Sequence, residues 1–343
     1  MKFKFLLILT VMLLLAAGCA KKEDVKEETS RESEPQTGTE QDETPVYPLS
    51  GTEADGETDR RAVAVMVNNH TQARPQTGLS KADVVYEMLA EGEITRFLAV
   101  FQSEVPDQVG PVRSARDYYI EIAKGLDAIF VTHGNSPEAK QLMDSGYIDS
   151  VNGLQYDGTL FQRSDDRKAP HNSYTTYDNI MKASKEKGYE QTSELAPLKF
   201  LSDDEEAELE GEAAADVRVN YGKAAYNVQY TYNKTEQKYA RSSNGVQTKD
   251  QAADQPIWLD NVFIIEAPHK VTDKKGRRDI DLKSGGKGYL LQKGIMNEVE
   301  WENREGRIVP VKNGEEARMV PGKTWVNIVP DQPGLSGEVS FED

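Results

Sequence analysis

Only one cysteine occurs in the 343 residues of the chain, and it stands at position 19, directly behind an apolar leader. Such a chain has no internal disulfide, no zinc-thiolate cluster and no thiol-based active site, so its fold must rest on a packed core. The leader carries Lys2 and Lys4, then Phe5 to Leu15 broken only by Thr10, then the small residues Ala16, Ala17 and Gly18. This is the pattern of a signal peptide over residues 1–18 ending in a lipobox, with Cys19 as the lipidated residue. The apolar run is too short to span about 30 Å of hydrocarbon as a retained helix. Acyl chains on the thiol, at about 0.8 kcal/mol per buried methylene, would make attachment effectively permanent. The expected location is the extracytoplasmic face of the cell membrane, held by lipid.

From Ala20 to about Asp59 the sequence is dominated by Glu, Thr, Ser, Pro and Gly, with no large apolar cluster before Val46, Tyr47 and Leu49. Residues 19–60 are therefore expected to form a disordered acidic tether. Roughly 40 such residues have a root-mean-square span of about 35 Å and stretch to about 130 Å. The net charge of −17 argues against a general basic field for nucleic acid. An anionic ligand must meet a local basic site.

Order is expected from Arg61. Strand-like runs at Ala62 to Val67, Val84 to Ala90, Ile94 to Phe101 and Ala128 to Thr132 are interleaved with helices at Ser114 to Lys124 and Pro137 to Met143, the latter capped by Ser136. A further helix, Tyr177 to Lys187, closes at Gly188. Strand and helix alternating in this way predict an α/β layered domain over residues 61–190. Asp203 to Asp216 holds eight acids and no base, so residues 191–219 read as an acidic linker or surface loop. Beyond it, Tyr226 to Tyr232 and Lys238 to Arg241 form a hairpin around Asn233-Lys234-Thr235. Further strands at Val262 to Glu266, Gly288 to Gln292, Val299 to Trp301 and Thr324 to Val329 make residues 220–343 a mostly β domain. The fold class is mixed α+β, an α/β half followed by a β-rich half.

Polar residues in the first half gather at expected strand ends. Arg113 and Arg116 bracket Ser114 at a helix start, where backbone N–H groups and the helix dipole favour an anion and arginine forks suit phosphate or carboxylate. Arg96, Arg163 and Arg167 are candidates to join them, as are Asn69, Arg74 and Asn172. The competing reading is that the arginines pair internally with Glu87, Glu91 or Asp117. A partly desolvated Glu87 or Glu91 would serve as a general acid on a glycosidic oxygen; otherwise the two glutamates only neutralise the arginines. His70, His133 and His171 sit in loops beside Asn or Gly. His171 is a candidate base, and all three are candidates for ligand hydrogen bonds or for loop structure. No HExxH or other close spacing supports a metal, and no cofactor motif is present, so none is expected. Ser114 with His171 lacks the turn of a nucleophile elbow. Trp258, Trp301 and Trp325 are either β core or a sugar-stacking face.

The stretches NNHTQARPQTGL, ADVVYE, EGEITRFLAVFQS, GPVRSARD, HGNSPEA, FQR and APHNSYT resemble the YerB-like lipoproteins. The resemblance runs from about Ala62 to Tyr177 and continues more faintly through the β half to PGKTWVNIVP. Glu93 and Asn135 depart from it, standing where glycine is usual. It implies two domains of unknown function and an envelope location; chemistry must come from the residues. Three functions follow. The first is an enzyme on peptidoglycan glycan strands, a lytic transglycosylase or glycosidase. The second is a non-catalytic binder of wall glycan or lipid-linked precursor, or a regulator of a membrane synthase through an envelope protein partner. The third is a phosphoglycan or lipid-pyrophosphate site.

Overall fold

The run VAVMVN at residues 63–68 has no polar face, and the structure explains why: the strand is covered on both sides. The computed structural model describes residues 44–342; the expected signal peptide, Cys19 and the first part of the tether lie outside them. Val63–Asn68 (β1), Val84–Glu91 (β2), Ile94–Phe101 (β3), Ile129–Thr132 (β4) and Ser150–Asn152 (β5) come from the first half. In the sheet they run β2, β3, β1, β4, β5, with β1 antiparallel to β3 and parallel to β4. Val63, Val65 and Val67 pack into one apolar cluster and Ala64 and Met66 into the other. Strands buried on both faces read as continuous apolar runs, as these do.

The two halves share this sheet. The strand Thr324–Pro330 pairs in parallel with β2 on one side and with Asn261–Ala267 on the other. Beyond Asn261–Ala267 follow Gly286–Gln292, Ile295–Arg304, Arg307–Lys312 and the short Glu315–Glu316; Glu212–Ala213 pairs off the path, for twelve strands in all. A second sheet of six strands includes Lys238–Ser243, Val228–Asn233, Asp216–Val219 and Val339–Glu342. Its Val217, Val219, Tyr230 and Tyr239 bury against the same cluster as the Val63 face of β1. The other face carries the helices Asp117–Gly125 (α1) and Pro137–Asp144 (α2). Helix α1 contributes Tyr118, Tyr119, Ile120, Ile122 and Ala123 to that core. The fold is mixed α+β with a mostly β second half, as the sequence indicates.

The ordered part starts before Arg61. Tyr47 is 6% and Leu49 1% exposed, and the Leu49 N–H donates to Gln102 Oε1 at 3.2 Å. A few apolar residues at the end of an otherwise polar stretch suffice to dock it. The acidic segment expected as linker or loop holds a short helix, Asp203–Ala207, whose Ser202 and Glu205 form a reciprocal capping box, followed by the strands Glu212–Ala213 and Asp216–Val219. Asp203, Asp204, Glu205 and Glu206 fall in the first helical turn, where they favour the helix dipole.

Candidate functional site

Glu87, expected at a strand end, lies in the middle of β2 with 0% exposure. In parallel register it faces Asn327, and Val85 faces Trp325. Its Oε2 accepts from Arg241 Nη2 at 2.7 Å and from Trp325 Nε1 at 3.0 Å, and its Oε1 accepts from Thr95 Oγ1 at 2.9 Å. The Arg241 guanidinium lies over the Trp325 and Phe97 rings, 4.6 and 5.2 Å from their centroids. Burial opposes the charge on Arg241, but Glu87, together with Tyr230 and Tyr221, holds the guanidinium above its ordinary pKa. This is an interior ion pair joining the two halves of the chain.

Glu91 is the second carboxylate. Both its oxygens accept from Arg96, and it also pairs with Arg116. Arg96 spends its remaining fork on the Ser114 carbonyl at 2.7 Å. Helix α1 begins at Asp117, later than expected, so Arg116 is its N-cap and Ser114 precedes it in extended chain. Arg113 and Arg116 therefore part company: Arg116 pairs with Glu91, while Arg113 stands near enough to the cluster of His70 and His171 for its charge to act on both rings.

That cluster is built from three loops. The His70 and His171 rings stack with centroids 4.4 Å apart. Asn68 Oδ1 accepts the His70 backbone N–H at 2.9 Å, which turns the amide so that Nδ2 donates to His171 Nδ1 at 2.9 Å. His70 Nδ1 accepts the Gln72 backbone N–H at 3.2 Å. Each ring has thus spent its acceptor nitrogen, and a neutral imidazole then carries its proton on Nε2. Among the described residues those Nε2 atoms take no partner, and they are not sealed from solvent. Arg113 is half-buried, and among the described residues no carboxylate pairs with it. Its pKa is pushed down to about 10, by burial first and then by Arg96 and Arg163. Both rings are held below the ordinary imidazole value, by burial first, then by Arg113 and Arg74 for His70 and by His70, Arg113 and Arg167 for His171. At neutral pH the cluster is a set of donors with no acceptor to match.

His133 belongs to a neighbouring, satisfied network. Its Nε2 accepts from Arg163 Nη2 at 3.1 Å, so Nδ1 donates to Ser173 Oγ at 2.7 Å. That direction makes Ser173 an acceptor and gives His133 no base function toward it. Arg163 also binds Asp157 and, at 3.2 Å, Asn172 Oδ1. Ser114 Oγ donates to the His133 carbonyl at 3.2 Å rather than meeting His171. Arg167 donates to the Ala73 and Pro75 carbonyls, fixing the loop that carries His70. Asn69 and Arg74 bind each other, Arg74 Nε donating to Asn69 Oδ1 at 2.9 Å. Among the described residues no group of three or more potential ligands is arranged to hold a metal. Trp301 and Trp325 are core at 1% and 0% exposure, which settles their reading against a sugar-stacking face.

Arg241 and Asn327 escape sequence reading, as does the bond from Trp325 to Glu87. A signal is present in period two: Tyr239 and Arg241 share one face of a strand, as do Trp325 and Asn327, and the apolar member of each pair marks that face as inward. Asn68 carries no signal of its own beyond the loop it shares with Asn69.

A mixed α+β protein with one sheet continuous through both halves, carrying a donor cluster on its loops, is the class these observations define. Residues 49–190 match the N-terminal domain and residues 217–326 the C-terminal domain of a family described as protein of unknown function (DUF3048), and the chain belongs to that family. It is 53% identical over 292 residues to a Bacillus subtilis (strain 168) protein named putative lipoprotein YerB, covering 84% of this chain and 87% of that one. The crystal structure of the YerB protein from Bacillus subtilis superposes with a TM-score of 0.81 at 51% identity, covering 87% of this chain and all of that one.

Proposed function

We propose that the protein is an extracytoplasmic lipoprotein, anchored through Cys19, that binds an anionic group of the cell envelope at His70, Arg113 and His171. The observation that carries this is the donor-only chemistry of the cluster: two Nε2–H groups and an arginine without a carboxylate partner, in a chain of net charge −17. Such a set is matched by carboxylate or phosphate, the anionic groups of peptidoglycan glycan and of lipid-linked precursor. Binding is favoured over glycan cleavage because both candidate acids are engaged. Glu87 is sealed in an ion pair, and Glu91 is bound by two arginines, so neither is a free carboxylic acid beside the cluster. The leader and the name of the Bacillus relative support the anchor.

The test uses the purified full chain with intact peptidoglycan sacculi and, separately, with vesicles carrying a lipid-linked wall precursor. Binding to either is expected to weaken by about 1.5–3 kcal/mol in Arg113→Ala, the cost of a lost charged hydrogen bond. Released muropeptides would return the enzyme reading, and failure to bind either surface would end the proposal. Metabolic labelling with a palmitate analogue tests the anchor; incorporation that persists in Cys19→Ala would remove it.

A further inference from the structure

A cleft of about 380 Å³ lies between the loop Asn69–Gln76 of the first half and the hairpin after Lys238–Ser243 in the second. Its wall contains Arg74, Arg241 and Lys249 and no acidic residue. Arg241 is already paired with Glu87 at 2.7 Å, and Lys249 with the exposed Asp254 at 3.4 Å. Among the described residues two buried arginine nitrogens there have no hydrogen-bond partner, Arg74 Nη2 and Arg241 Nε. Arg241 is 1% exposed, so its orphaned N–H cannot turn to bulk water. A buried charged donor left without an acceptor is costly, so two at one wall mark it as a place where negative charge is favoured.

The arginines are fixed for that task. Arg74 Nε donates to the Asn69 carbonyl and side chain, its Nη1 donates to Ser243 Oγ at 3.0 Å, and its guanidinium carbon lies 5.3 Å from the Tyr226 ring centroid. Arg241 Nη1 donates to Thr248 Oγ1 at 2.7 Å. Burial first, and the charge of Arg241 second, push the Arg74 guanidinium down to about 10. Beside the cations, Pro75 and Val246 offer apolar wall, and Val246 is 69% exposed at the rim.

We propose that this cleft is a ligand site separate from the histidine cluster, taking a small molecule whose anionic group meets Arg74, with Arg241 adding its charge from within the wall, while an apolar body lies against Pro75 and Val246. A carboxylate and a phosphate share the chemistry required, and the test separates them. The full chain, solubilised in detergent with detergent alone as blank, is titrated by calorimetry with phenylacetate, phenyl phosphate and neutral benzyl alcohol. At least one anion is expected to bind about tenfold or more tightly than the alcohol, its identity naming the anionic class. Arg74→Gln is expected to weaken that anion about tenfold or more, for a lost charge-assisted bond. Val246→Asp, an exposed rim change that leaves the core untouched, is expected to weaken it too, by repulsion, and keeps the test valid if Arg74→Gln folds poorly. Equal binding of anion and alcohol, anion binding unaltered by both variants, or no binding of any probe to folded protein would each overturn the assignment.

Discussion

Arg241 donates to Glu87 Oε2 at 2.7 Å with side-chain exposures of 1% and 0%, and this contact links a strand of the second half to the middle of β2 in the first. The carboxylate also accepts from Trp325, Asn327, Thr95 and Asn69. Tyr221 closes the ring around it, its hydroxyl donating to the Glu87 backbone carbonyl at 3.1 Å. Interior charge is tolerated only when paired and hydrogen-bonded, and this pair is both.

Replacing Glu87 by Gln is therefore expected to act on stability. The amide leaves the Arg241 charge buried without its counter-charge, at a cost of about 3–5 kcal/mol. Urea unfolding of the two proteins measures it. A Glu87→Gln variant as stable as the parent, with an altered ligand response, would instead favour a role for Glu87 in ligand chemistry.

Close backbone approach gives the second prediction. A Cβ on Gly125, the last residue of α1, would overlap the carbonyl carbon and oxygen of Gly306, which lies in a hairpin turn of the second half. Gly125→Ala favours the helix locally by about 1 kcal/mol, yet the clash with backbone is expected to outweigh it and destabilise by about 1–3 kcal/mol. A raised urea midpoint would show that the turn yields freely.

His269 gives stability a pH dependence. Its Nδ1 donates to the Ala267 carbonyl at 2.8 Å, its Nε2 is buried without a partner among the described residues, and burial first lowers its pKa to about 4, opposed by the Ala267 hydrogen bond and Asp331 and helped by Arg278. The folded state therefore binds fewer protons than the unfolded one between about pH 4 and pH 6.5, so stability is full above that window and falls as pH drops through it. The loss amounts to at most about 3 kcal/mol. Unfolding free energies of the parent and His269→Asn, measured across the window, are expected to converge as pH falls; parallel curves would refute the assignment.

Sequence reading goes furthest where a local rule decides the outcome. The Ser136 cap with Pro137, the helix closing before Gly188 and the hairpin at Asn233 all follow from neighbouring residues. It misses what depends on partners far along the chain. The joining of Thr324–Pro330 to β2 carries Trp325 and Asn327 to Glu87 from the far end of the chain, and nothing near Glu87 foretells it. For the site, the residue types are legible but their partners are not. Arg113 and Arg116 look equivalent in GPVRSARD, and only the later start of α1 sends one to Glu91 and the other to the histidines.

The last prediction follows from the stacked histidines. Both rings are held below the ordinary imidazole value, by burial first and then by the cations around them, so at neutral pH each presents one Nε2–H and no charge. An anion between them and Arg113 raises the affinity of the rings for protons, and by linkage protons raise the affinity for the anion. Affinity is therefore expected to climb as pH falls below about 6.5, the ordinary imidazole value. It should also weaken with salt, because the contact is charged and reaches solvent. His171→Asn keeps a donor in the loop without a titrating group and is expected to flatten the pH profile while leaving binding at neutral pH within a few-fold. Arg113→Ala should do the opposite, lowering affinity at every pH. Equilibrium binding to sacculi or precursor vesicles from acidic to neutral pH decides the matter, run alongside circular dichroism to confirm that the fold persists. A profile that is flat in the parent, or one that rises with pH, would show that the histidines do not contact the ligand.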